Sequence, residues 1–365
     1  MRTGWTLAAA MLLLTGAVAR AQDGPVRPSD LLKDERSIHP PRNIGRESNP
    51  AAEYFRIWDT VTFAQRREMG DIAGLAGRDD GKKLDQASRR VCETQRDYID
   101  ALIRNANAGP CDWGINVEAG WETSFPHLSL LRASLRMVRM DAYRCIDDGS
   151  YAAASERVAA MIRMSDQTRS DGTMISAMTG GAICEAGMRV AEAMLKDKQV
   201  SPASARIMLS ALRSLPKDNI FGSTSAIEYE RRTSIEWARS RFKGEAAGAR
   251  FMQEAGLGMG GDPFNRFIYG MNGQQLDADL NRCSKYYEAL ATAWKQPYRT
   301  MRLIELNMEV WEGQFGAVAR VAVPAMDRYS IQMERTNAEI AKVMRELSAV
   351  ADPQTGAAPT GDHKP

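Results

Sequence analysis

The stretch LSLLRASLRMVRMDAYRCIDDGSYAAASERVAAM, residues 128–161, decides the fold. Leu128, Leu131, Leu135, Val138, Ala142 and Cys145 step by three and four, which puts all six on one stripe of a helix. The polar run DDGSY then ends that helix, with Gly149 placed to cap its C-terminus. Tyr151, Ala154, Val158 and Met161 repeat the same spacing, so the chain turns back as a second helix. Two helices joined by a short glycine turn form an antiparallel hairpin.

Working outward, the same periodicity recurs and strand signals do not. Further helices are expected at Ala51–Gly70, Lys82–Asn105, Gly172–Lys198, Pro202–Leu215, Lys217–Lys243 and Pro263–Lys295, with one or two between Tyr298 and Leu347, where Pro324 divides the last segment. Ser201 before Pro202 has the form of an N-cap followed by proline at the first helical position. Within 172–198 the small residues Ala177, Gly180, Gly181, Ala182, Ala186 and Gly187 imply that a neighbouring helix or a bulky Trp approaches closely. The expected fold is all-α, a curved array of stacked antiparallel hairpins with about nine or ten helices. Residues 51–348 form the helical domain, with a hinge expected at the glycine-rich 256–264, which lacks the G-K-[ST] of a phosphate loop.

The ends read differently. Arg2, the 13-residue apolar run Leu7–Ala19 and the small-x-small motif Ala19-Arg20-Ala21 have the form of an export signal over residues 1–21. The expected compartment is periplasmic or extracellular. No later stretch is long and apolar enough to span a bilayer, so no membrane span is expected after cleavage. Residues 22–50 carry Pro25, Pro28, Pro40, Pro41 and Pro50 and read as an extended leader, and 349–365 as a disordered tail.

Removing the signal leaves 46 basic residues against 46 acidic ones. That balance argues against a nucleic-acid partner, which would need a basic patch. Cys92, Cys111, Cys145, Cys184 and Cys283 are an odd number in an oxidising compartment, and four of them fall between residues 92 and 184, where disulfides are expected. No metal-ligand spacing and no cofactor motif appears, so neither is expected. Met137 with Met140, Met161 with Met164, and Met174 with Met178 fit apolar stripes; the exposed M-x-M runs of a copper(I) site are missing.

One connection is unlike the rest. CDWGINVEAGWETSFPHL, residues 111–128, holds Cys111, Asp112, Trp113, Glu118, Trp121, Glu122 and His127. As a chemical site, Asp112, Glu118 and Glu122 would supply acid and base, His127 a further proton carrier, and Trp113 and Trp121 a stacking wall for sugar. The plainer alternative is a corner, with aromatics plugging an inter-helix gap, Cys111 stapling the loop and Pro126 starting the next helix. On the helix SAIEYERRTSIEWARSRF, Glu228 and Arg232 are spaced as an i,i+4 pair that could bind a ligand acid or simply line a solvated face.

The hairpin's second helix, with Gly149, Tyr151 and Ala154, resembles the second helix of a tetratricopeptide repeat, although Asp141 stands where that repeat favours leucine. More broadly, SFPHLSLLRASLRM, DDGSYAAASERVAAMIRMSDQ and MISAMTGGAICEAGM resemble a family of exported, all-helical bacterial proteins of unknown function, over residues 50–245. The resemblance implies helix boundaries and core positions and carries over no catalytic residue. Some relatives continue into a pseudopilin-like tail, whereas this chain passes into a polar one after Leu347. Two functions follow as expectations: a non-enzymatic scaffold or binding protein of the cell envelope, taking a protein or envelope-polymer partner, or a carboxylate-dependent hydrolase of a glycan or other envelope polymer.

Overall fold

The computed structural model describes residues 49–62, 64–69, 83–116, 119–120, 123–216, 223–255, 263–296, 299–323 and 326–352. The export segment, most of the leader, the tail beyond Asp352 and the glycine-rich 256–262 lie outside them. The described residues form fifteen α-helices and no strand. The all-α expectation holds, with more and shorter helices than the periodicity suggested.

In chain order these are α1 Pro50–Asp59, α2 Gln86–Thr94, α3 Arg96–Ala106, α4 Pro126–Asp147, α5 Tyr151–Thr168, α6 Met174–Lys196, α7 Pro202–Arg213 and α8 Ser223–Arg231. A π-helical turn, Arg232–Glu236, leads into α9 Trp237–Arg241. Then come α10 Ala247–Glu254, α11 Pro263–Tyr269, α12 Gly273–Trp294, α13 Arg299–Trp311, α14 Gly316–Ala322 and α15 Met326–Ala351.

Local chemistry sets the boundaries. Asn49, Asp85, Thr173 and Ser201 each accept a backbone N–H of the first turn that follows, satisfying donors the helix cannot satisfy itself. Asn272 and Gln275 close a reciprocal capping box at the start of α12. Because Asn272 takes that role, the expected single helix from Pro263 to Lys295 is two. Gly149, at φ +71°, occupies the left-handed conformation that ends α4, as its sequence position implied.

The centre of the fold is α5, buried on nearly every side and packed by α3, α4, α6 and α7. Ala154, Val158, Met161, Ile162 and Met164 are all fully buried there; each of the four larger side chains contributes roughly 1.5–3 kcal/mol of burial. Its buried hydroxyls bond their own helix, Ser155 to Ala152 O and Thr168 to Met164 O, so they need no outside partner. Gly180 and Gly187 let α6 approach α5. A Cβ at Gly180 would stand 2.8 Å from Ser165 O, and one at Gly187 3.4 Å from Met161 Cβ.

Asp141 acquires a reason here. It is buried and accepts Arg144 Nε at 2.7 Å and Arg157 Nε at 2.8 Å, tying α4 to α5. Burial alone would lower the Arg157 pKa, but the Asp141 carboxylate overrides that and raises it.

The last helix returns. α15 packs on α13 and also on α6 and α7, with Lys342 Nζ 2.9 Å from Glu192 and Arg206 bonding Ala351 O. Contacts so distant in sequence are not those of a plain array, in which each unit touches only its neighbours. No helix among the described residues is long and apolar enough to cross a membrane.

Candidate functional site

The connection from α3 to α4 winds through Gly109, Gly114 and Gly120, all at positive φ. Its first anchor is Asn49. That side chain caps α1 through Ala51 N and grips the Asp112 backbone at both ends, donating to Asp112 O at 2.7 Å and accepting from Asp112 N at 3.1 Å. The Asp112 carboxylate accepts Gly114 N at 2.9 Å and thereby closes a turn.

Two expectations for this connection are corrected. All five cysteines are unpaired and buried, so Cys111 is no staple and the expected disulfides are absent. Burial pushes the Cys92, Cys184 and Cys283 thiols up to about 12, and Cys111 well above its ordinary value. Nor does Trp113 form an open stacking wall. Its ring packs against Tyr54 at 5.6 Å, Trp58 at 6.4 Å and His127 at 4.5 Å, and its Nε1 donates to Gln167 O at 2.8 Å. Glu118, Trp121 and Glu122 lie outside the described residues.

His127 follows Pro126 in the first turn of α4 and points into the core, fully buried. Neither ring nitrogen makes a hydrogen bond, although Nε2 lies 3.3 Å from Asp171 Oδ2. Asp171 ends the 3-10 turn after α5, ahead of Gly172 at φ +76°. Three donors satisfy it: Thr173 N at 2.9 Å, Thr173 Oγ1 at 3.0 Å and Ser176 Oγ at 2.5 Å. Glu230, from α8, accepts Met174 N at 3.3 Å. Burial raises its pKa against the pull of that bond, and the Asp171 charge adds to the rise.

One of the four acid/base candidates, His127, therefore meets a carboxylate that sequence spacing did not single out, Asp171, whose charge is in turn felt by Glu230. Asp171 sits in the turn sequence SDGT and was legible only as a helix boundary. Glu230 lies on a helix whose charges alternate too closely to show which one faces inward. The π turn immediately after α8 rotates the next residues, so that Ser234 bonds Tyr287 and Trp237 packs on Gly120. A Cβ at Gly120 would fall 2.2 Å from the Trp237 ring.

Glu228 and Arg232 are both exposed, and, second to Arg231, the Arg232 charge helps to lower the Glu228 pKa without a direct ion pair between them. Glu228 instead accepts Arg231 Nη2 at 2.7 Å and Nε at 3.0 Å, and Arg231 lowers its pKa. The π turn begins at Arg232, which takes that residue off the i,i+4 spacing of a regular helix.

The most conspicuous surface feature lies elsewhere. α13 has two apolar faces. Leu303, Leu306 and Val310 are buried, while Met301, Ile304, Met308 and Trp311, also stepping by three and four, are exposed at 64%, 38%, 58% and 54%. A helix with only one face to bury needs no such second stripe. Trp311 is held in place by Arg320, whose guanidinium lies 4.6 Å from its ring and 3.7 Å from that of Phe264, and donates to Trp311 O. Beside the stripe stand Glu305, Glu309 and Glu312 against Arg302, which pairs with the first two. Among the described residues no group of three or more potential metal ligands comes together.

No protein-family model, curated protein or solved structure matches the chain.

Proposed function

We propose that this chain is an exported helical binding protein of the cell envelope, which holds a basic amphipathic helix of a partner protein along the exposed face of α13. The observation that carries it is the exposed stripe Met301, Ile304, Met308 and Trp311. Four large apolar side chains at helical spacing match the anchors of a helix laid alongside, and methionine suits a surface that adapts to its partner. The carboxylates of Glu305, Glu309 and Glu312 outnumber Arg302 beside them and Arg320 at Trp311, which favours a cationic partner over an anionic lipid surface. The tetratricopeptide-like hairpin of α4 and α5 is in keeping with a binding role.

The apolar run Leu7–Ala19 and its Ala-Arg-Ala motif support the envelope compartment. Of the carboxylates named for the hydrolase alternative, Asp112 alone is among the described residues. Asp112 closes a turn, and Asp171 is sealed beside His127.

A synthetic Leu/Lys amphipathic helix of about 14 residues, long enough to span the roughly 20 Å of α13, provides the test. Its titration is expected to shift Trp311 fluorescence to the blue and saturate. Replacing Ile304 and Met308 by serine, or Glu305 and Glu312 by lysine, is expected to weaken binding at least about tenfold, or 1.4 kcal/mol. Binding unaffected by either pair of substitutions would overturn the proposal, as would self-association of the chain through this face in place of peptide binding.

A further inference from the structure

A second feature, independent of α13, lies at the other end of the chain between α1, α3 and α4. A pocket of about 80 Å3 opens there, and its lining is almost wholly apolar. Trp58, Val61, Met69 and Tyr98 form its floor and are buried. Ala133 and Arg136 stand exposed at its rim, with Leu130 and Arg66 half-buried beside them.

The walls present carbon to the pocket because their polar atoms are already used. Trp58 Nε1 donates to Ser134 Oγ at 2.7 Å, and the Tyr98 hydroxyl lies 3.1 Å from the same oxygen. That leaves the two guanidinium groups as the charged groups of the lining.

Many arginines of the protein are held by carboxylates, among them Arg56, Arg89, Arg144, Arg157, Arg189 and Arg231. Arg66 and Arg136 pair with none among the described residues. Arg66 donates Nε to Val61 O at 2.9 Å, which fixes its stem and leaves both terminal nitrogens for another acceptor. Its charge is felt at the pocket floor, where it pulls against the burial that raises the Tyr98 hydroxyl pKa to about 12. Arg136 follows Arg132 by one turn on α4, and such like-charge i,i+4 pairs disfavour a helix unless an anion sits between or beside them. Arg132 bonds only Thr179 Oγ1 among the described residues.

We infer that this pocket is a binding site for a small organic carboxylate with a compact apolar body, an aromatic or branched-chain acid, whose apolar part enters between Trp58 and Tyr98 while Arg66 and Arg136 hold the carboxylate at the mouth. The volume admits a short branched chain or the leading edge of one aromatic ring and little more. Guanidinium forks match a planar carboxylate with two parallel hydrogen bonds; inorganic phosphate shares that geometry but brings no apolar body to fill the pocket. The site is separated in sequence from the α13 face, so either inference can fail without the other.

Calorimetric titration of the full chain with benzoate tests it. Saturable one-to-one binding is expected, with a Kd at or below about 1 mM. The neutral analogue benzyl alcohol is expected to bind at least about tenfold more weakly, and Arg66→Met and Arg136→Met each to cost benzoate about tenfold. Ala133→Phe, at the exposed rim, is expected to fill the mouth and abolish binding while leaving the circular-dichroism spectrum and melting temperature unchanged. The inference is overturned if benzoate does not saturate, if benzyl alcohol or inorganic phosphate binds as tightly, or if the arginine variants bind benzoate as the parent does.

Discussion

Replacing His127 by phenylalanine should make the protein more stable. The imidazole is fully buried, and neither nitrogen has a hydrogen-bond partner. Each buried polar atom left without a bond costs on the order of 1–3 kcal/mol. Phenylalanine removes both atoms and keeps a flat ring against Trp113, now 4.5 Å away and 18° from parallel. Asp171, 3.3 Å from Nε2, loses a neighbour but keeps its three donors from Thr173 and Ser176. Against the gain stands the larger ring, since overfilling a packed core costs about 1–3 kcal/mol. The net expectation for His127→Phe is a gain of about 1 kcal/mol, or about 2 °C in Tm for a chain of this size. His127→Ala instead leaves a cavity beside Trp113 and should lose about 2–4 kcal/mol. Urea unfolding of both variants at pH 7.5, compared at a common slope, gives the two values. A His127→Phe variant less stable than the parent by more than about 2 kcal/mol would refute the reasoning, because it would mean that an imidazole nitrogen makes a bond the structure lacks.

Gly120→Ala should destabilise by about 3 kcal/mol or more, because a Cβ meets the Trp237 ring at 2.2 Å and the backbone is at φ +58°. Gly109→Ala, at φ +106° with nothing within 4 Å, should cost only the backbone strain of about 1–2 kcal/mol; thermal unfolding of the two variants compares them. A thiol reagent at pH 8 should label essentially no cysteine in the native protein and all five in guanidinium. A thiol pushed up to about 12 is ionised in only about one molecule in ten thousand at that pH. Glu230→Gln should change stability with pH in a set direction. Because the folded state raises the Glu230 pKa, its contribution is fully present below the ordinary carboxylate range and is lost as pH rises through the raised value. Relative to the parent, the glutamine variant should therefore gain stability as pH is raised from about 4 to 8; a flat difference would contradict the raised pKa.

How much of this the sequence disclosed depends on the kind of residue. The stripe from Leu128 to Cys145 and the turn at Gly149 were legible because a buried face and a left-handed glycine each leave a local pattern. Gly180 and Gly187 were legible as close approaches, and α5 supplies the neighbour. Helix breaks were less so. Gln95 separates α2 from α3 with no proline or glycine to mark it, and the short α10 lay between Lys243 and Pro263, where no helix was expected. Asp141 looked like a flaw in a repeat pattern because its partner, Arg157, lies on the next helix. His127 was singled out for its chemistry, yet Asp171 reaches it from another element and Glu230 stands near Asp171 from a third, and only tertiary packing places them there. The outer stripe of α13 shares its three-four spacing with the inner one, so periodicity alone could not say which face the core would take.

Photo-crosslinking in the cells that make the protein tests the central claim most directly. With a photoreactive residue in place of Met308, on the exposed stripe of α13, the account predicts a crosslinked adduct to a protein carrying a basic amphipathic segment, lost when Ile304 and Glu305 are both replaced by lysine. Arg345, exposed on α15 away from that stripe in sequence, should give no such adduct. No adduct at position 308, or the same adduct at 308 and 345, would contradict it.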